Sequence, residues 1–469
     1  MKKQLGEATQ LVQKAKSIQV VTHLDADGLS AGGIISQVLE RAGKEYEIKA
    51  VPGIYPENAD NLSSADLTIF TDLGSGQLDI LHKNFSNSDV IVLDHHQPHG
   101  QTWSKLIQVN PHLIGKDGSR EISGAGVAYH LAVEMCSENV DLSQLAVVGA
   151  VGDIQNFWGK LEGMNAEILD DAMEAGVVSM EKDLLFFGRH TRPIFKTLQY
   201  FTDPYVPGVS NSESGAIALL DMLNIPFKEN GTWRTPSELK ESEKQALADE
   251  LIHRAMQDVP KELLSYIPGI VIGEQYTLEK EEPRSDFRGA SEFSTCLNAT
   301  GRNDRPEIGL EIAKGNKKDY KAELMRILAT HRRNIAKSLR IMEERGTVLG
   351  PKKHIQWFNA GDDISAKIIG TIAGMTLGSE GTDPYRPMVG MASVETGTKV
   401  SARCSRLLVL KGIDMASALR VAAAKVGGTG GGHMVACGGS IPAGQEEKFI
   451  AEFEKELLKD LDLKPGIHS

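Results

Sequence analysis

The first 160 residues alternate short β-branched apolar runs with helical patterns, and this alternation narrows the fold more than any other feature. Residues 18–22, 67–71, 90–93 and 106–109 read as strands, while 29–41 and 125–136 read as helices. Strands alternating with helices build a mostly parallel α/β sheet, because each parallel pairing needs a crossover that a helix supplies.

Acids and histidines fall where these apolar runs end. His23, Asp25 and Asp27 follow the first, Asp72 the second and Asp94-His95-His96 the third; Asp153 follows the apolar run 146–151 and Gly152. In a parallel α/β sheet the C-terminal strand ends gather at one edge, where ligands bind. Five aspartates and three histidines are therefore expected in one place. So many carboxylates repel unless some are protonated or a cation sits among them. Mixed carboxylate and imidazole ligands suit Mn²⁺ or Mg²⁺ better than a thiolate-seeking metal. Two ions roughly 3.5–4 Å apart would clamp an in-line phosphoryl displacement. Taken singly, an Asp after a strand is an ordinary helix cap. The metal reading rests on the ordered set His-x-Asp-x-Asp-Gly, strand-Asp, strand-Asp-His-His and Gly-Asp.

A chain of 469 residues exceeds one ordinary core and implies several domains. It has no apolar run of about 18 residues, so no membrane span is expected. Met1-Lys2-Lys3-Gln4 leads directly into polar, helix-like sequence, so no secretory signal is expected either. Cys136, Cys296, Cys404 and Cys437 are scattered without CxxC spacing, which argues against a disulfide framework or zinc knuckle and for the cytoplasm. The net charge of -12 argues against sequence-blind nucleic-acid coating but leaves room for local basic contacts.

Further along, 200–282 reads as an inserted small domain with a charged helix over 235–257. Residues 319–345 read as one long connecting helix with an apolar face and a basic one. A second α/β unit follows, with strands at 355–358, 388–394 and 399–403 and helices at 365–377, 415–425 and 445–459. Its glycine-rich stretch, Gly427 to His433, reads as a loop. Ser401, Arg403, Gly430, Gly431, Gly432 and His433 together read as a phosphate grip: glycines let N–H groups approach an anion, Arg403 offers a bidentate fork, and His433 a further donor. The domain boundaries expected are 1–199 with 283–318, 200–282, 319–346 and 347–469.

These residues resemble the DHH phosphoesterase superfamily. His23-Leu24-Asp25-Ala26-Asp27-Gly28 matches its first motif, Asp72 the second, Asp94-His95-His96 the third and Gly152-Asp153 the fourth. The resemblance implies a parallel-sheet DHH catalytic domain with an inserted small domain, a long connecting helix, and a second α/β DHH-associated domain. It implies two Mn²⁺ ions, or Mg²⁺ in their place, held by His23, Asp25, Asp27, Asp72, Asp94, His95 and Asp153. Asp25 and Asp72, with His23, fall at one ion; Asp27, Asp72, His95 and Asp153 fall at the other. His96 is expected to orient ligands or touch phosphate.

Leu297 to Arg302 resembles a motif of the RecJ branch, which implies that Asn298 and Arg302 face the scissile phosphate. Ser401-Ala402-Arg403 and Gly430-Gly431-Gly432-His433 resemble the family's substrate-binding domain. An insert in the first domain and no OB-type domain after the second is similar to the archaeal RecJ-like, GINS-associated type. The expected activity is metal-dependent exonuclease cleavage of single-stranded nucleic acid, DNA 5′-to-3′ and RNA as well, in replication or repair. The expected partner is the GINS complex, through the insert. Two alternatives stand beside this: a phosphodiesterase of short oligonucleotides, pAp or cyclic dinucleotides, and a non-catalytic GINS-binding scaffold. The scaffold reading expects eroded ligands, and none of the eight Asp and His positions is missing.

Overall fold

The computed structural model describes residues 1–59, 62, 65–257 and 259–462. The chain forms two compact units, one of Met1–Asp183 with Gly273–Ala329, the other of Leu184–Ile272 with the chain from Thr330 onward.

The first unit is built on a parallel sheet of β1 (Ile18–His23), β2 (Tyr46–Val51), β3 (Leu67–Thr71), β4 (Asp89–Leu93) and β5 (Leu106–Val109), in the order β2-β1-β3-β4-β5. Both faces are covered, which is why β1, β3 and β4 read as near-continuous apolar runs. Ile18, Val20, Leu67, Ile69, Ile91 and Leu93 bury against one set of helices. Val21, Phe70, Val90 and Val92 bury against Leu78, Leu81 and Phe85 on the other face. The order places β2 and β3 on opposite sides of β1, so the chain switches direction between β1 and β3. A doubly wound sheet opens a crevice at such a point.

The run 146–151 is not a strand. It lies within the helix Ser143–Gly152, and Asp153 is its C-cap. Val147, Val148 and Ala150 are all buried; a short run apolar on every side has no period that separates helix from strand. Strand β2, which alternates half-buried and exposed residues, was not among the sequence expectations.

β6 (Val178–Leu184) pairs with β9 (Ile272–Leu278), and between them lies the insert. Its hairpin of β7 (Lys228–Glu229) and β8 (Thr232–Trp233) turns through Asn230 and Gly231, both at positive φ as a two-residue hairpin turn requires. Within the charged stretch 235–257 the helix is Glu241–Ala255, and it buries Leu247, Ala248, Leu251 and Ala255. The insert core of Ile194, Leu198, Leu219, Leu251 and Ile267 also takes in Leu407, with Tyr385 and Leu410 packed against it. The insert and the C-terminal segment therefore share one core.

The C-terminal segment carries a six-stranded sheet of β10 (Val348–Leu349), β11 (Gln356–Asn359), β12 (Met388–Val394), β13 (Gly397–Arg403), β14 (Thr429–Gly432) and β15 (Ala436–Ile441), in the order β10-β11-β12-β13-β15-β14. Only β11 and β12 pair in parallel. The expected glycine-rich loop is in part the edge strand β14, paired with the glycines of β15. Glycine disfavours strands on its own, and here the open edge of β15 supplies the partner that local sequence does not announce. The connecting helix runs Lys317–Arg345. Among the described residues, no helix is long and apolar enough to cross a membrane.

Candidate functional site

β1 ends on His23 and runs almost directly into the helix Ala26–Arg41, with Asp25 in the turn between them and Asp27 in the first turn of the helix. Asp25 is the N-cap, its Oδ1 accepting from Gly28 N at 3.0 Å. Its Oδ2 lies 2.9 Å from His23 Nδ1, which is 3.5 Å from Asp72 Oδ2. Asp72 closes β3 with φ at 58°, a left-handed conformation rare for a residue with a Cβ, and its N–H donates to Leu93 O at 2.9 Å. Such strain persists where surrounding structure over-determines it, typically at functional sites.

Asp27 is buried against the first turn of the helix Gly124–Met135. Its Oδ2 accepts from Gly124 N at 2.6 Å and its Oδ1 from Ala125 N at 2.9 Å, so a helix N-terminus holds this carboxylate. Gly149 lies alongside, where any Cβ would collide with Asp27 Oδ1. Asp153, brought by the same helix as Gly149, accepts from Gln155 Nε2 at 2.8 Å.

His95 ties these groups together. Its Nδ1 donates to Gly118 O at 2.6 Å, which leaves Nε2 facing Asp72 Oδ1 at 3.2 Å, Asp27 Oδ2 at 3.7 Å and Asp153 Oδ2 at 3.8 Å. A backbone acceptor on one ring nitrogen is the usual way to aim the other at a metal. Candidate ligand atoms fall into three groups, each within 4.8 Å: His23, Asp25 and Asp72; Asp27, His95 and Asp153; and Asp72, Asp94, His95 and His96.

Asp94 is fully buried, and both its oxygens already have donors. Oδ2 accepts from Ser75 N at 2.8 Å; Oδ1 accepts from His95 N at 2.8 Å, His96 N at 3.1 Å and His96 Nδ1 at 2.7 Å. It fixes the turn that aims the two histidines. His96 itself is half-exposed at the rim.

The electrostatics follow from crowding. Burial and the Asp72 carboxylate push Asp27 well above the usual carboxylate range, against the pull of His95. Burial works against charge on His95, yet Asp153, Asp72 and Asp27 hold its imidazole well above the ordinary histidine value. His23 is raised in the same way, Asp25 and Asp72 outweighing burial. Burial also opposes ionisation of Asp25 and Asp94, but His23 beside the first and His96 beside the second hold both well below the carboxylate range. His96 is pushed up to about 8, the Asp94 carboxylate outweighing burial. Asp72 Oδ1 is buried and makes no hydrogen bond, although His95 Nε2 lies 3.2 Å away. An unsatisfied buried carboxylate oxygen among imidazoles and further carboxylates fits a divalent cation.

Asn298 and Arg302 lie on the helix Ala290–Arg302. Asn298 Oδ1 accepts from Ala26 N at 3.1 Å, so it braces the helix start between Asp25 and Asp27. Arg302 ends the helix Ala290–Arg302 four residues, about one turn, after Asn298; burial lowers its guanidinium, and the Asp25 carboxylate counteracts it.

Residues 17–152 match the family model described as DHH family, N-terminal domain; 186–267 match the DHH-CID domain and 350–459 the DHHA1 domain. The chain is 31% identical over 453 residues to Uncharacterized protein MJ0831 of Methanocaldococcus jannaschii, covering 95% of this chain and 94% of that protein. It belongs to the DHH family. Among solved structures, the fold is shared with RecJ in complex with Mn²⁺ from Thermus thermophilus, at a TM-score of 0.58 and 19% identity over 97% of this chain. The match spans 55% of that longer protein. CDC45 from Entamoeba histolytica matches at a TM-score of 0.63 and 11% identity, over 97% of this chain and 99% of that one.

Within the DHHA1 domain, β13 alternates its side chains, so Lys399, Ser401 and Arg403 share a face. Ser401 stands opposite Gly438, which stands opposite Gly431; Gly430 pairs with Gly439 and Gly432 with Cys437. Arg403 Nη1 donates to Ala402 O at 2.8 Å, and any Cβ on Gly370 would collide with Nη2. The guanidinium therefore lies over the first turn of the helix Ile369–Thr376. Burial and the Arg403 charge lower Lys399. His433 follows β14, its N–H donating to Ala436 O at 2.9 Å. Lys399 and Arg403 thus set two partly buried cations on one face of β13.

The DHH site also contains residues that sequence reasoning passed over. Gly118 and Gln155 orient His95 and Asp153, Ser75 satisfies Asp94, and Gly124 and Ala125 hold Asp27. These contacts are mostly backbone and leave no sequence mark. In the DHHA1 domain Lys399, also passed over, did leave one: it stands two residues before Ser401 and four before Arg403.

Proposed function

We propose that this DHH protein is a two-metal phosphodiesterase that degrades single-stranded nucleic acid from an end, DNA in the 5′-to-3′ direction and RNA as well. The observation that carries the reading is the setting of His95. Its Nδ1 is spent on Gly118 O, and its Nε2 meets three carboxylates, one with an unsatisfied buried oxygen. His23, Asp25 and Asp72 would hold one divalent cation, Mn²⁺ or Mg²⁺; Asp27, Asp72, His95 and Asp153 would hold the other. When bound, such a pair activates water near neutral pH and offsets charge on the phosphoryl oxygens.

The protein's own groups supply the rest. Asp94 holds His96 by Nδ1 and keeps it protonated near neutral pH, so His96 donates to a phosphoryl oxygen. Arg302, about one helical turn beyond Asn298, would add positive charge toward the phosphoryl oxygens. Asn298 keeps the Asp25–Asp27 turn in register. In the DHHA1 domain, Arg403, Ser401, His433, the glycines Gly430, Gly431 and Gly432, and Lys399 grip a phosphate of the strand.

The test is digestion of matched DNA and RNA oligonucleotides, labelled at either end, with Mn²⁺ and with Mg²⁺. The expected result is stepwise loss from one end of single strands, no cutting of a closed circle, and abolition by Asp27→Asn. Cutting of circles at the same rate removes the exonuclease reading. A preference for dinucleotides over long strands replaces it with a short-oligonucleotide phosphodiesterase. Full turnover by His95→Ala removes the site assignment. The GINS complex is the proposed partner, on the resemblance to archaeal RecJ-like proteins. Sedimentation of the purified chain with purified GINS tests it, and separate boundaries would dismiss it.

A further inference from the structure

The helix Lys317–Arg345 has a charge pattern that the proposed chemistry does not use. From Leu324 to Met342 it contains no acid, in a chain with 63 Asp and Glu and a net charge of -12. Its inner side buries Leu324, Leu328, His331, Ser338 and Met342. At about 100° per residue, the side directly opposite is Arg326, Arg333, Lys337 and Arg340, all exposed.

Exposed helices normally set acids three or four residues from bases. Here Lys337 has Arg333 four residues before it and Arg340 three after, an arrangement that destabilises an isolated helix. At the two ends of the helix cations are paired: Lys317 with Glu281, and Arg345 with Asp363 at 2.5 Å. Arg333, Lys337 and Arg340 have no ion-pair partner among the described residues.

We propose that Arg333, Lys337 and Arg340 form a track for the sugar-phosphate backbone of a single strand, a second contact separate from the metal cluster. It rests on the reading that the substrate is a nucleic-acid strand. The three cations span about 10 Å of helix, enough to follow consecutive phosphates. Between them stand only Asn334, Ile335, Ala336, Ser338 and Leu339, and the two large apolar residues turn toward the buried side. A protein partner would need an apolar or aromatic anchor at the centre of its footprint, and this face has none. A backbone track needs only charge, and tolerates any sequence.

The experiment compares the full-length protein with the combined variant Arg333→Gln, Lys337→Gln, Arg340→Gln. Binding of a long labelled single strand is measured by fluorescence anisotropy in EDTA over a range of salt. Each lost single-strand phosphate contact makes the log–log salt slope shallower by about 0.7, so the variant slope is expected to be shallower by about 2, with weaker binding at low salt. The variant Arg333→Lys with Arg340→Lys is expected to keep the wild-type slope. In Mn²⁺, kcat/KM for the long strand is expected to fall relative to a dinucleotide. An unchanged slope and affinity in a variant with wild-type circular dichroism overturns the track. So does retained strand binding alongside loss of an acidic protein partner, which would make the face a protein interface. A shallower slope in the variant, together with wild-type protein that cleaves no strand, would uphold the track and dismiss the nuclease reading, so the two failures are distinct.

Discussion

Gln155 Nε2 reaches Asp153 Oδ2 at 2.8 Å, Gly118 O at 2.9 Å and Ile122 O at 3.2 Å, while Asn165 Nδ2 donates to its Oε1 at 2.6 Å. It steadies both a candidate ligand and the carbonyl that aims His95. Gln155→Ala is expected to weaken Mn²⁺ binding by about 10- to 100-fold, the usual cost of losing such a support, with circular dichroism unchanged. Calorimetric titration measures it, and wild-type affinity would show that Asp153 needs no brace. The histidines give a pH prediction. In the cation-free protein His23 and His95 hold protons above the ordinary imidazole range, their carboxylate neighbours outweighing burial. That contribution to stability is complete below the unfolded histidine value and is lost as pH rises through the raised one. A cation must displace the same protons, so Mn²⁺ affinity should rise with pH, by up to about tenfold per pH unit for each proton released. Titrations in buffers of different ionisation heat count those protons. Binding without proton release would exclude both histidines as ligands.

Asp203, in the insert, accepts from Ser405 Oγ at 2.8 Å and Arg406 Nε at 2.9 Å, while Arg406 Nη2 donates to Asp203 O at 2.7 Å and Ile270 O at 2.9 Å. These bonds fix the helix Arg406–Leu410, which starts three residues after Arg403. Asp203→Ala is expected to cost about 1–3 kcal/mol, read as a lower thermal midpoint, and Asp203→Asn less. An unchanged midpoint would mean that the apolar core alone holds the segments together. Elements differed in how far the sequence disclosed them. The helix Met415–Lys425 and the strands β3, β5 and β12 have the bounds expected from pattern alone. Asp153 was expected at a strand end and lies at a helix end, because its preceding run is buried on every side. Thr429–Gly432 looked like a loop because glycine has little preference of its own, and it becomes a strand only where β15 offers an edge.

At the scale of the molecule, the insert is no free appendage. Leu407 lies in its core, and Tyr385 and Leu410 pack on it. Deleting 186–271 behind a short linker would expose these side chains, so the shortened chain is expected to aggregate or melt well below the full one. Sedimentation and a thermal scan would reveal it, and a monomer with wild-type stability would show that the C-terminal segment folds without the insert. Any partner docked on the insert would therefore bear on the DHHA1 segment through a shared core.

The sequence by itself determined the parallel sheet, the order in which acids and histidines meet its edge, and the family that order belongs to. Strand periodicity and chain order are local properties, and local pattern is enough to write them. Only the tertiary structure decided that Asp27 sits on the N-terminus of the helix Gly124–Met135, that Gly118 sets the His95 tautomer, and that Asp94 is spent on backbone and His96. Apart from the local Asp94–His96 pair, those contacts join residues 19 to 97 positions apart and hang on backbone groups that every residue has. They come into being when the sheet closes around the site.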